Sequence, residues 1–347
     1  MTAFASDVVG VDEVGYGPTL GPFVVAACRL SIPSERSLFE LCPRWFSRDP
    51  RDYPEKLPVG DSKRLYSTSR RSRRLELGWP TPGTLPDGYP AADFAVLETT
   101  ALALHRAATG DLPATFGALL RHLGGGSAEP AIPAVYGAED PPLPLCRELP
   151  MRLVCGLGQA LAECGGAHVA TAAEVYHPAR FNACCARVGG KAKLDVTAMY
   201  RLGTALAAVH RREAQVVEVL CGAVGGMRNY PVFLPTGMLM ARPPGEPGLC
   251  RYAVLSTDGR PELFLTFAVD VEDRHPAPAL ASALAKYIRE VFMLMLNTHC
   301  RRLAVACGAP PPRPTAGYPV DARRFLADLA PLVASGAVTL HHLVRQS

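Results

Sequence analysis

With 347 residues, 48% of them hydrophobic, the chain exceeds one average domain and has ample material for a sizeable core. Its net charge of +4 permits a polyanionic partner without demanding one, and no stretch reaches the ~18 apolar residues of a membrane span, so a membrane-embedded class is excluded and a cytoplasmic location is the expectation. Five Lys against 31 Arg, with 33 Pro, read as a compositional bias, and the eleven Cys form no C-x-x-C pair and are expected to be mostly buried, reduced thiols. In chain order, Val8 to Val11 and Phe23 to Ala27 read as buried strands. Between them Gly15, Gly17, Pro18, Gly21 and Pro22 punctuate a turn that carries Asp12 and Glu13 at its start. Two acids beside this much Val are costly to bury unless they are paired, hydrogen bonded or bound to a cation, and the alternative is a solvated hairpin tip.

After the hairpin comes Asp61-Ser62-Lys63-Arg64-Leu65. Residues 67 to 74 hold four Arg among Ser and Thr, a candidate phosphate-binding arm or an ordinary solvated face, and 78 to 90 is rich in Pro and Gly. Residues 92 to 123 read as helical, interrupted at Gly110 to Pro113, and 124 to 150 resume loop character. From Val169 to Tyr176 a strand is expected. A helix follows over Val196 to His210 with Met199, Leu202, Leu206 and Val209 on one apolar stripe, and then a short strand over Val216 to Leu220. Leu263 to Val271 is a further strand. It delivers Glu272 to a helix from about Pro278 to Asn297, on which Ser282 and Lys286 are four residues apart and share a face.

The turn Asp12-Glu13-Val14-Gly15-Tyr16-Gly17-Pro18 and the segment Asp61-Ser62-Lys63-Arg64-Leu65 together resemble the type 2 ribonuclease H (ribonuclease HII) family, where Asp-Glu-x-Gly-Arg-Gly-Pro precedes Asp-Ser-Lys-(Lys/Arg)-Leu. Two further segments extend the resemblance. Glu272 lies fourteen residues before Lys286, the spacing that the family has between an acid and the Lys of its Ala-Ala-Ser-x-x-Ala-Lys helix, and Gly317-Tyr318 is similar to the family's Gly-Tyr-Gly-Thr segment, whose tyrosine packs against a sugar. About residues 6 to 66 and 265 to 330 are covered.

The resemblance implies an α/β ribonuclease H-like fold with a mixed central sheet flanked by helices. Residues 1–66 and 151–347 would form the core and a C-terminal helical tail, with 67–150 an insertion of unknown role. It implies an endonuclease that cleaves RNA in RNA/DNA hybrids with Mg²⁺ or Mn²⁺, the ions that all-oxygen ligands suit. Asp12, Glu13 and Glu272 would be catalytic and metal-binding residues, and Gly15, Tyr16, Gly17, Ser62, Lys63, Ser282, Lys286 and Tyr318 would meet the substrate. The partner is nucleic acid; no membrane is implied, and protein partners are left open.

Two departures matter. The family carries its remaining metal-binding Asp at the end of the strand after the long helix, where this chain reads Leu220-Cys221-Gly222, with Glu218 as a candidate substitute on the same strand. Tyr16 stands where the family has Arg or Lys. A catalytically impaired nucleic-acid-binding protein of the same fold is therefore the alternative, and a metal-dependent phosphohydrolase of smaller substrates a third reading.

Overall fold

The structure is a computed structural model that describes residues 7–33, 38–65, 91–124, 132–209, 216–234, 239–241, 248–255 and 259–346. The chain opens with β1 (Asp7–Val14), β2 (Phe23–Ser31), the short helix α1 (Leu38–Leu41), the parallel pair β3 (Phe46–Ser47) and β4 (Leu57–Pro58), and α2 (Ser62–Leu65). Helices α3 (Ala91–Thr109), α4 (Phe116–Leu123) and α5 (Met151–Glu163) lead to β5 (Ala167–Tyr176), α6 (Pro178–Val188), α7 (Lys191–Ala208) and β6 (Val217–Gly222). Then come β7 (Leu239–Ala241), β8 (Leu249–Leu255), β9 (Pro261–Ala268), α8 (Val271–Arg274), α9 (Pro276–Ala306), α10 (Pro319–Asp328) and α11 (Ala330–Ala334).

The seven strands of the main sheet are ordered β5-β2-β1-β6-β9-β8-β7. β1 pairs antiparallel with β2 and β2 with β5, whereas β6 runs parallel to β1 and β9 parallel to β6. The buried Val runs of β1 and β6 fit strands covered on both faces. On one face Val9, Val11, Val219 and Cys221 pack with Leu194, Met199 and Leu202 of α7; on the other Val8 and Leu220 meet α9. This is the mixed sheet with helices on both faces expected of the ribonuclease H-like reading.

α9 passes so close to β1 that a Cβ on Gly10 would stand 1.9 Å from the backbone nitrogen of Pro278. Only glycine fits there. Helices α3 and α4, which the sequence places in a separate insertion, bury Phe94, Leu97, Phe116 and Leu119 in the same apolar cluster as α9. Glu98 of α3, fully buried, accepts from the backbone nitrogens of Leu145 and Cys146 at 2.7 Å each and from Tyr287 Oη at 3.0 Å. Cys42 and Cys164 are joined as a disulfide, and the other nine cysteines are free. Among the described residues no helix is long and apolar enough to cross a membrane. The arginine cluster Arg70, Arg71, Arg73 and Arg74 lies outside the described residues.

Candidate active site

Strand alternation sends Val9 and Val11 toward α7 and Gly10 toward α9, and it sends Asp12, 6% exposed, to the α9 side at the end of the strand. β6 runs alongside in register, with Val11 opposite Cys221, so Gly222 lies beside Asp12. A Cβ added at Gly222 would be 2.8 Å from Asp12 Oδ1 and 3.7 Å from Glu13 Oε2.

The glycine turn after Glu13 is fixed from below by distant parts of the chain. Thr19 and Leu20 donate their backbone N–H groups to the Gly317 carbonyl at 2.8 and 3.1 Å, and Arg289 Nη2 donates to the carbonyls of Leu20 and Ala316. Arg345, buried near the C-terminus, donates to the carbonyls of Gly15 and Pro18, while its own backbone nitrogen donates to Thr19. Hydrogen bonds from a charged donor are the stronger kind. Arg345→Ala is therefore expected to lower stability by about 2 kcal/mol or more in urea unfolding, with only partial recovery in Arg345→Lys, whose point charge cannot reproduce a planar fork.

The second segment arrives on α2, where Asp61 Oδ1 accepts from the Lys63 backbone nitrogen at 2.8 Å. Ser62 and Ser282 bring their hydroxyls to 2.9 Å across the junction of α2 and α9. The third segment follows β9 through Asp270, which holds a left-handed φ of 50°, a turn that swings the chain into α8 and sets Glu272 at the rim. Lys286 Nζ on α9 lies 2.8 Å from Glu290 Oε1.

All of the sequence-expected residues line one cleft of about 940 Å³: Asp12, Glu13, Gly15, Tyr16, Gly17, Ser62, Lys63, Glu272, Ser282, Lys286 and Tyr318. Tyr318 caps the start of α10 and is half-exposed at 51%. Tyr16 lies against the α7-side cluster with Lys191 Nζ 4.8 Å from its ring centre, so a cation from α7 stands beside the turn position where the family carries one. The opposite wall, from Gly226, Met227, Arg228, Gly248 and Cys250, belongs to none of the four segments.

Electrostatics single out the acids. Burial drives Asp12 well above the usual carboxylate range, and the neighbouring charges of Glu13 and Glu272 push it further, with Ser282 opposing. Burial raises Glu13 as well, followed by the charge of Asp195. Glu272 is raised by burial and by Asp61 and Asp270, against the pull of Lys63. Burial works against the Lys63 ammonium, but Asp61, Asp12, Glu272 and Glu13 outweigh it and raise its pKa. Burial is the largest cause for each of the three acids, and the like charges crowded beside them add to it.

The donor set is oxygen only, the kind that suits a hard divalent cation. Among the described residues, however, no three His, Cys, Asp or Glu side chains are placed as a group that could hold a metal ion. Glu218 is no substitute for the absent strand-end acid. It lies deeper in the sheet, where Arg251 Nη2 donates to one of its carboxylate oxygens and Thr266 Oγ1 to the other, each at 2.6 Å, so neither oxygen is free for a cation. The acid that sequence reasoning missed is Asp195 on α7, fully buried, with neither carboxylate oxygen partnered.

Solved ribonucleases H resemble this chain. It is similar to a point mutant of Bst-RNase HIII (14% identity, 99% of this chain and 67% of that one, TM-score 0.44) and to Bst-RNase HIII in complex with Mn²⁺ (15%, 99% and 67%, TM-score 0.38). The ribonuclease H2 from Pyrococcus horikoshii OT3 also matches (11%, 97% and 92%, TM-score 0.40). No family model and no curated protein matches the chain.

Proposed function

We propose that this chain is a divergent type 2 ribonuclease H, an endonuclease that cuts the RNA strand of RNA/DNA hybrids with Mg²⁺ or Mn²⁺. The observation that carries the reading is the convergence of four sequence-distant segments, ending in Asp12, Lys63, Glu272 and Tyr318, on a single cleft. Asp12, Glu13 and Glu272 would hold the cation, which when bound supplies charge stabilisation for phosphodiester hydrolysis. Lys63, whose ammonium is kept charged by four surrounding carboxylates, would hold a substrate phosphate at the rim. The Gly15–Gly17 turn brings bare backbone to the cleft, where it would read a ribose 2′-hydroxyl, the group that separates RNA from DNA. Tyr318, half-exposed above it, would pack on a sugar.

Two observations favour a second reading, a nucleic-acid-binding protein impaired in catalysis: Gly222 stands at the strand end where the family carries an acid, and among the described residues no three His, Cys, Asp or Glu side chains are placed as a group that could hold a metal ion. A labelled RNA/DNA hybrid, the same RNA alone and the DNA duplex, each incubated with Mg²⁺, Mn²⁺ or EDTA, separate the two. Cleavage confined to the hybrid and dependent on the cation is expected. Hybrid binding without cleavage under either ion would establish the second reading, and neither binding nor cleavage would remove both.

A further inference from the structure

Asp195 is a buried acid for which the reading above has no task. It sits in the second turn of α7, fully buried, and both of its oxygens lack a hydrogen-bond partner. Interior carboxyl groups are ordinarily paired or hydrogen bonded, because a polar group stripped of water without compensation is costly. An unpaired one needs a reason.

Its place supplies one. α7 lies tightly against the sheet on the side away from α9: a Cβ on Gly203 would be 2.5 Å from Val219 Cγ1 and 3.2 Å from Val11 Cγ2. Asp195 comes about two helical turns earlier, roughly 12 Å along the axis, which carries it from the middle of β1 and β6 to their ends. Glu13, Tyr16 and Cys221, which surround those ends, all feel its charge, and Asp195 in turn feels that of Asp12. On the α9 side the neighbouring strand position offers only the hydrogen of Gly222, with Asp12 Oδ1 2.8 Å from where a Cβ would be.

We infer that Asp195 supplies the acidic group that position 222 lacks, completing the set of Asp12, Glu13 and Glu272 for a divalent cation from the α7 side of the sheet. The role has moved from a strand end to the helix that covers it. This rests on the metal-dependent reading proposed above.

Mn²⁺ alone is the probe. Melting of the full chain is followed in EDTA and across a Mn²⁺ titration for wild type, Asp12→Asn, Asp195→Asn, Asp195→Ala and the double variant Asp195→Asn with Gly222→Asp. Both Asp195 variants are expected to need about 10- to 100-fold more Mn²⁺ for the same rise in Tm, the range typical of groups that support a metal site. The double variant is expected to recover most of that loss. In EDTA, Asp195→Ala is expected to melt no lower than wild type, since two unpartnered oxygens leave the interior. Asp195 variants that melt lower in EDTA yet keep the wild-type Mn²⁺ response would make Asp195 a packing residue and overturn the inference. If Asp12→Asn loses the response while they keep it, the metal-dependent reading survives that result. If Asp12→Asn keeps it too, or wild type shows none, the metal-dependent reading falls and takes the inference with it.

Discussion

Asp12→Asn is expected to abolish the proposed cleavage of the hybrid with either cation, a loss on the order of 10²-fold or more, because it removes the charge that the other site groups are arranged around while keeping the shape. Asp12 is the residue on which the segments converge: Glu13 follows it, Glu272 raises its pKa from across the cleft, Ser282 opposes that shift and Gly222 abuts it. The same substitution has a second readout that does not need turnover. With its folded-state pKa raised, the protonated Asp12 contributes stability that is fully present below the ordinary carboxylate range and is lost as pH rises through the raised value. Urea unfolding in EDTA at a series of pH values should therefore show wild-type stability declining above that range. The amide that replaces the carboxyl in Asp12→Asn does not titrate, so the variant's decline should be shallower. Equal cleavage by wild type and variant would place the chemistry elsewhere, and parallel pH curves would show that Asp12 is not the group being held neutral.

How much of this was legible in the sequence depends on whether a residue's signal is local. The hairpin of β1 and β2 is, because strand-forming Val runs end in glycine and proline that force a turn, so Asp12 and Glu13 announce themselves at its base. The interruption at Gly110 to Pro113 divides α3 from α4 for the same reason. Glu272 was legible through its spacing to Lys286, although the left-handed turn at Asp270 that aims it was not. Non-local partners stayed hidden. Arg345 lies in a tail with no periodicity, and that it would thread back to the carbonyls of Gly15 and Pro18 is a property of the whole fold.

Asp195 is the instructive case. The stripe of Met199, Leu202 and Leu206, extended one turn toward the N-terminus, falls on position 195, so helical periodicity placed an acid on the buried face. That conflict between polarity and pattern was the available signal, and a helix read as starting at Val196 left it out. Glu218 shows why a place on the same strand was a poor guide. It does share a face with Gly222, but four residues separate them, roughly 13 Å of strand, and Arg251 and Thr266 already satisfy it. Arg251→Met would leave that carboxylate buried with one partner fewer and should cost stability without touching cleft chemistry.

Restoring an acid at the strand end should separate Gly222 from Cys221 sharply. Gly222→Asp is expected to strengthen Mn²⁺ binding by on the order of tenfold or more in titration, as an added carboxylate beside Asp12 and Glu13 adds a ligand where the cation would sit. The space allows it. Gly222 has no left-handed φ, so a side chain brings no backbone strain, and the atom nearest its new Cβ is Asp12 Oδ1 at 2.8 Å, which must shift to make room. Without a cation the same variant adds a like charge to an already crowded set, so it should be less stable than wild type in EDTA and regain stability as Mn²⁺ is added. Cys221→Asp must behave differently. Its side chain points to the α7 side, fully buried among Val219, Phe267 and Tyr230, with Asp195 close enough to raise its pKa. A carboxylate there is buried without a partner and faces another acid, which should cost about 3 kcal/mol or more and appear as a lowered Tm or loss of folded protein. If instead Cys221→Asp folds normally and binds Mn²⁺ more tightly while Gly222→Asp does nothing, the ion is held on the α7 side of the sheet, and Asp12 is not its central ligand.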